Sequence, residues 1–145
     1  MSRLPLRLRI VSVVAGSIIM ASCGRAVEVV LDCPSPDRKA SATFYWVHGG
    51  GAAGWTSFRV NIRDINARLK PDQYHFAMRH GYDVRLTWKT PSELLIEYPN
   101  KAAVDIQQEQ VKGVVVAGTI VRVKYSAVET VPVNSIDGGS KCSGS

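Results

Sequence analysis

One hairpin pattern constrains the fold of this chain more than any other stretch. Two runs between positions 40 and 63 alternate apolar and polar residues, and the loop His48-Gly49-Gly50-Gly51-Ala52-Ala53-Gly54 separates them. The apolar positions of one parity are Ala42, Phe44, Trp46, Phe58, Val60 and Ile62. A period of two with one apolar face is typical of half-buried antiparallel strands. The stretch therefore predicts a β-hairpin whose glycine-rich loop is too long for a two-residue turn.

Further runs with the same alternation follow along the chain, bounded by turn-forming residues. They cover residues 27–32, 74–79, 82–89, 93–98, 111–116 and 119–125. Residues 64–70 fit either one helical turn capped by Asp64 or a loop that ends at Pro71, and residues 104–106 form a short, weak run. No long segment has a helical period, so we predict an all-β domain: a single small antiparallel meander closing as a sandwich or barrel. The predicted core aromatics are Trp46, Phe58, Phe76, Trp88 and Tyr98.

The first residues of the chain have the composition of a secretory signal peptide. Arg3, Arg7 and Arg9 form a basic start, and an apolar run of eleven residues follows from Ile10 to Met20. That run is too short to span roughly 30 Å of hydrocarbon as a helix. We therefore predict a signal peptide at residues 1–22, a linker at 23–26, the β domain at 27–125 and a C-terminal coil at 126–145.

A cysteine follows the predicted signal peptide directly. Met20-Ala21-Ser22-Cys23 resembles the lipobox of bacterial lipoproteins, with Met where Leu is commonest. The resemblance implies cleavage before Cys23 and lipid attachment to its thiol, which would hold the protein on the membrane. Gly24, in place of Asp, favours the outer membrane, facing the periplasm. The alternative is an ordinary secreted protein, cut nearby and soluble in the periplasm, with Cys23 a plain thiol.

The charge of the chain does not support nucleic-acid binding. The full chain carries 18 basic and 12 acidic residues, a net charge of +6, but three of the basic residues lie in the predicted signal peptide. The remaining 123 residues have a net charge of +3, and their basic residues are scattered beside acids on predicted strand faces. Nucleic-acid binding would need a basic stripe with interleaved aromatic residues, so we predict no nucleic-acid partner.

Two further cysteines, Cys33 and Cys142, lie near the two ends of the folded region. In an exported protein, an even pair of cysteines predicts a disulfide. The bond would close a loop of over a hundred residues and hold the Gly/Ser-rich tail against the first strand. Two free thiols, or a mixed bond with another protein, are the alternatives that the sequence leaves open.

The glycine-rich loop has a likeness to a catalytic element. Tyr45-Trp46-Val47-His48-Gly49-Gly50-Gly51 resembles the oxyanion-hole loop of lipases and esterases. Those enzymes also need a Gly-x-Ser-x-Gly nucleophile elbow, which does not occur in this sequence. We therefore predict a loop on which a partner docks. Its candidate binding residues are His48, Gly49, Gly50, Gly51 and Trp55.

No other group of residues has the spacing of a catalytic or metal site. His75 and His80 are five positions apart across a predicted turn, not at the i, i+4 spacing of helical metal ligands. Glu93 and Glu97 fall on the outward face of one predicted strand, where solvated charge is the usual state. We predict no metal, no cofactor and no catalytic residue.

One set of turn and strand motifs extends over much of the mature chain. The motifs are Ser35-Pro36-Asp37-Arg38-Lys39, the Gly/Ala loop, a strand at 59–63, Trp88 and Glu93-Leu94-Leu95-Ile96-Glu97-Tyr98. Across residues 33–125 they resemble a group of small bacterial envelope proteins of unknown function. That group usually has Gly where this chain has Arg38, and Ala-Thr-Thr where it has Ala52-Ala53-Gly54. The resemblance implies an envelope β domain and attaches no catalytic residue to it.

Together these features predict a membrane-anchored envelope lipoprotein whose domain is a non-enzymatic binding or structural module. Its predicted partners are the membrane, through the lipid, and as a candidate an envelope protein. The alternative is a small envelope hydrolase or enzyme inhibitor that uses the loop from His48 to Trp55. An enzyme would need His48, Trp55 and a carboxylate to converge in one concave pocket.

Overall fold

Alternating sequence produces strands throughout the part of the chain that the computed structural model describes, residues 25–50, 54–79, 83–101, 105–106, 111–129 and 142–144. The strands are β1 (Ala26–Pro34), β2 (Ala40–Gly49), β3 (Trp55–Asp64), β4 (Phe76–Arg79), β5 (Arg85–Thr90), β6 (Glu93–Pro99), β7 (Gly113–Val116), β8 (Thr119–Val128) and β9 (Ser143–Gly144). Within those residues, no helix has the length and hydropathy to cross a membrane.

The first sheet is an antiparallel meander in the order β1-β2-β3-β4. β2 and β3 pair along their full length, from Ala40 opposite Asp64 to Gly49 opposite Trp55. This long pairing is the hairpin that the alternation predicts. Its register brings the apolar positions of both strands to one face, because residues directly opposite each other in a sheet share a face.

The segment between β3 and β4 forms turns, not a helix. The Oδ1 atom of Asp64 accepts a hydrogen bond from the backbone N–H of Asn66 (2.8 Å), a local bond that competes with helix formation. β4 begins at Phe76, two residues later than the alternation predicts. The cause is His75, whose Nδ1 atom accepts a hydrogen bond from the backbone N–H of Ile62 (3.0 Å) in place of a strand carbonyl.

The second sheet has the order β7-β8-β6-β5-β9 and is mixed. β5 with β6, and β7 with β8, form the antiparallel hairpins that the sequence predicts. β6 and β8 instead pair in parallel, as do β5 and β9, so the meander does not continue through this sheet. β8 also runs to Val128, and β9 lies at Ser143–Gly144, where the sequence predicts coil. Of the weak run at 104–106, Ile106 forms one isolated bridge, to Met78.

The two sheets pack face to face around one apolar core, which confirms an all-β sandwich rather than a closed barrel. Four of the predicted core aromatics are buried, and the fifth, Trp46, is half-buried against them. Burying each such side chain stabilises the fold by about 1.5–3 kcal/mol. The indole N–H of Trp88, on β5, donates a hydrogen bond to the backbone carbonyl of Cys33, on β1 (3.0 Å). This bond joins the two layers inside the core.

Cys33 and Cys142 form a disulfide, as the sequence predicts. Their Cα atoms are 5.4 Å apart, although the residues are 109 positions apart in sequence. Cys33 is fully buried on β1, and Cys142 directly precedes β9, which pairs with β5. The bond therefore links the first sheet covalently to the edge of the second.

The outer face of the first sheet is covered by the segment 65–75. The hydroxyl of Tyr45 and the guanidinium of Arg59 both donate hydrogen bonds to the carbonyl of Pro71 (3.0 and 2.8 Å). The side-chain amide of Asn61 donates to the carbonyl of Gln73. Polar side chains of β2 and β3 are thus buried without facing the apolar core.

Candidate functional site

The strand register places the two ends of the predicted loop on opposite faces of the first sheet. His48 pairs with Thr56, and the adjacent Gly49 pairs with Trp55. Successive residues of a strand point to opposite faces, so the side chains of His48 and Trp55 diverge. His48 and Trp55 therefore do not converge in one pocket, as an enzyme using this loop would need.

On the inner face, His48 has both a hydroxyl and a carboxylate neighbour. Its Nδ1 atom is 3.0 Å from Oγ1 of Thr56, and its Nε2 atom is 3.8 Å from Oε2 of Glu28. The ring of Trp46 packs edge-on against the imidazole, with centroids 6.1 Å apart. The order carboxylate, imidazole, hydroxyl is that of a hydrolytic triad, but the two ring nitrogens are exchanged relative to the Ser-His-Asp arrangement. The separation of 3.8 Å exceeds a hydrogen bond, however, and the Glu28 and His48 side chains are both largely open to solvent.

On the outer face, the ring of Trp55 lies across Gly49. A Cβ atom built at Gly49 would overlap the indole ring of Trp55, so a side chain at this position would require the ring to move. Gly50 has open space around it, and Gly51 lies outside the described residues. The guanidinium carbon of Arg25 is 5.9 Å from the centre of the Trp55 ring, within the range of a cation–π contact.

The start of β1 and the predicted loop share one end of the domain, because Ala26 pairs with His48. Val27 and Val29 lie on the same face of the sheet as Trp55, and their exposed fractions are 40%, 53% and 44% in that order. They are three of the five large apolar residues that are exposed in the described part of the chain. We call Val27, Val29 and Trp55 the apolar end; sequence reasoning identified only Trp55.

The remaining residues that the sequence analysis singled out add nothing to the site. Cys23 and His80 lie outside the described residues, and the disulfide cysteines are structural. Among the described residues, no group of three His, Cys, Asp or Glu side chains could hold a metal ion.

A second polar region, which sequence reasoning missed, lies at the opposite edge of the first sheet. A cleft of about 430 Å³ runs between β3, the segment 67–75 and β7. Its lining includes Arg63, Arg68 and Lys70. These three basic residues fall within eight positions of sequence, which is a weak signal because surface loops often carry such charge.

Comparison of the chain with protein-family models, with curated proteins and with solved structures finds no match. The resemblance to small envelope proteins therefore stays a prediction.

Proposed function

We propose that this protein is a lipid-anchored lipoprotein of the bacterial envelope and that its β sandwich is a non-enzymatic binding module at the membrane surface. The observation that carries the proposal is the apolar end, at the point where β1 begins. Cys23 precedes Ala26 by three positions, and three residues of extended chain reach at most about 11 Å. A lipid on Cys23 would hold this end of the domain against the membrane.

The chemistry of the apolar end suits such a position. Val27 and Val29 offer apolar surface, and a tryptophan such as Trp55 favours the boundary between lipid and water because its ring is amphipathic. Arg25, beside Trp55, forms an exposed ion pair with Asp72 (3.0 Å), and an anionic headgroup would compete with that carboxylate for its charge. Exposed apolar residues grouped at one end of the domain are consistent with an interaction surface there.

The disulfide supports the export that an anchored lipoprotein requires. Disulfides persist in the periplasm and are rare in the cytosol. The Cys33–Cys142 bond joins residues 109 positions apart, so the folded domain depends on an oxidising compartment. The loop from His48 to Trp55 would then lie beside the membrane, where an envelope protein could also contact it.

Mass spectrometry with cell fractionation tests the anchor. The full chain and its Cys23→Ser variant are expressed in a Gram-negative host, and the intact mass is measured in the membrane and soluble fractions. We expect the wild-type chain in the membrane fraction, starting at Cys23 with added acyl mass, and the Cys23→Ser variant without acyl mass. An unmodified wild-type chain in the soluble fraction would overturn the proposal.

A small envelope hydrolase, or an enzyme inhibitor using the same loop, is the second candidate. The arrangement of Glu28, His48 and Thr56 favours the hydrolase, with Thr56 as the hydroxyl that would attack an ester. Hydrolysis of a chromogenic acetyl ester by the wild-type protein, lost in Thr56→Val and in His48→Gln, would support it. Equal rates for all three proteins would exclude Thr56 as the nucleophile.

A further inference from the structure

The cleft beside β3 combines positive charge with buried polar atoms that have no partner. Arg63, Arg68 and Lys70 line it, and no carboxylate does. Among the described residues, the side chains of Arg68 and Lys70 make no ion pair or hydrogen bond, and both residues are exposed. Two charges at the mouth of the cleft are therefore uncompensated.

Arg63 is only partly neutralised by its neighbour. Its two terminal nitrogens are 3.4–3.5 Å from the carboxylate of Asp32, which lies outside the lining of the cleft. Its Nε–H is buried and has no hydrogen-bond partner within the described part of the chain. Leaving such a donor unsatisfied costs about 1–3 kcal/mol, so a side-chain movement of Arg63 that brings the N–H to a ligand acceptor would recover that loss.

Asn61 supplies the second unpartnered atom. The residue is 4% exposed, and its Nδ2 group donates to the carbonyl of Gln73, while its Oδ1 atom has no partner among the described residues. His75 adds a donor: because its Nδ1 atom accepts from the N–H of Ile62, the neutral ring carries its proton on Nε2. The cleft thus offers several donors for an anion and one buried acceptor for a ligand hydroxyl.

We propose that this cleft binds a small phosphate ester that carries a free hydroxyl group. Two guanidinium groups and an ammonium group match a phosphate dianion, since arginine binds it with a planar fork and lysine as a point charge. The Oδ1 atom of Asn61 would accept from the hydroxyl. A volume of about 430 Å³ lies in the usual range for small-molecule sites. The proposal goes beyond the anchoring role and does not depend on it.

Titration calorimetry with glycerol 3-phosphate tests the site directly, with inorganic phosphate and glycerol as reference ligands. The protein is the full chain carrying Cys23→Ser, with the disulfide intact, so that no acyl chain contributes. We expect binding of glycerol 3-phosphate, weaker binding of inorganic phosphate and none of glycerol. The variant R68Q/K70Q should bind at least about tenfold more weakly, because two charge-assisted contacts are lost.

A matched control separates the site from general electrostatics. The variant K101Q/R122Q removes the same two charges from exposed positions outside the cleft, and its affinity should stay within about twofold of the parent. Binding of the protein to phosphatidylglycerol vesicles is compared with its binding to phosphatidylcholine vesicles, which shows whether a lipid headgroup is the source of the phosphate. Binding only to the former, with the same dependence on R68Q/K70Q, would support a headgroup.

Two results would overturn the site. One is the absence of binding to glycerol 3-phosphate, inorganic phosphate and both vesicle types. The other is equal weakening by R68Q/K70Q and K101Q/R122Q, which would show a response to net charge alone. Neither result bears on acylation of Cys23, so failure here is distinguishable from failure of the anchoring proposal.

Discussion

The two sheets bury their faces differently, although both are built from alternating sequence. β6, in the second sheet, alternates between buried and half-buried positions along its length, as a sheet with one open face should. β2 and β3, in the first sheet, are buried on both faces over most of their length. Five of the seven buried polar residues in the described chain are on these two strands: Ser41, Thr43, Ser57, Arg59 and Asn61.

The difference comes from the segment 65–75, which supplies backbone carbonyls to the outer face of the first sheet, and from Asp32 on β1, which accepts hydrogen bonds from Ser41 and Thr43. Polar side chains can be buried there because most of their polar atoms have hydrogen-bond partners; among the described residues, the Oδ1 atom of Asn61 is an exception. The ion pairs of the second sheet are partly open to solvent, for example Lys124 with Glu93 at 3.0 Å, whose side chains are 63% and 18% exposed. A polar side chain on the first sheet should therefore stabilise the protein more than one on the second sheet.

The covalent link between the sheets should have the largest effect on stability. Replacing Cys142 by Ser removes the Cys33–Cys142 bond and should lower the free energy of unfolding by about 2–5 kcal/mol, because the unfolded chain is no longer constrained across the loop. Urea unfolding, with and without reductant, measures this. Reductant should destabilise the wild type to the level of Cys142→Ser and leave the variant unchanged; a wild type insensitive to reductant would contradict the prediction.

Two arginines, one on each sheet, test the comparison directly. Arg59 bonds to Ser57 and Pro71 and stacks on Tyr74 at 4.3 Å, with 10% of its side chain exposed. Arg85 pairs with Glu97 at 2.6 Å, and 40% of its side chain is exposed. Arg59→Met should cost about 1.5–3 kcal/mol, as for a lost bond to a charged group. Arg85→Met should cost less than about 1 kcal/mol, because solvent screens the pair.

Chemical denaturation of both variants at low and at high salt is the measurement. The loss in Arg85→Met should shrink further at high salt, whereas the loss in Arg59→Met should persist. Equal losses for the two variants would show that the covering segment does not distinguish the sheets.

Stability between neutral and mildly acid pH should depend on the first sheet, through His75. Burial lowers the pKa of His75 from its usual value of 6.5, and its Nδ1 atom accepts from Ile62, so the folded protein favours the neutral ring. The unfolded chain then binds the proton more readily. The stabilisation is present above about pH 6.5 and is lost as the pH falls through the lowered folded pKa.

The matched variant for this prediction is His75→Asn, which keeps an acceptor for the Ile62 N–H but does not titrate in this range. Unfolding free energies measured between pH 7 and pH 5 should decline more steeply for the wild type than for His75→Asn. Parallel curves would assign the acid sensitivity to other groups.

The smallest effects should come from one turn in each sheet. Arg38, between β1 and β2, has a φ of 56°, and Ala117, between β7 and β8, has a φ of 47°. A residue with a Cβ atom is strained there. Arg38→Gly and Ala117→Asn, which creates the favoured Asn-Gly hairpin turn, should each raise stability by about 0.5–1 kcal/mol. Thermal unfolding of the two variants checks this, and a lower melting temperature for either would contradict it.

The sequence by itself determined the strands and the short-range pairings of this protein. Alternation of side chains predicts a strand from a few residues, and turn residues such as Ala117-Gly118 predict which neighbours pair, because both signals are local. The sequence also indicated Cys33 and Cys142 as a candidate disulfide pair. Only the structure, which brings their Cα atoms within 5.4 Å, decides between the disulfide and two free thiols.

Other features were decided only by the tertiary structure. A bulge between Val29 and Leu31 changes which face β1 presents, so Val27 and Val29 are exposed while Leu31 packs on the core. The parallel pairing of β6 with β8 and the cleft beside β3 likewise join residues distant in sequence. Such contacts depend on how complete sheets pack together, and the period of a single strand carries no information about its distant partners.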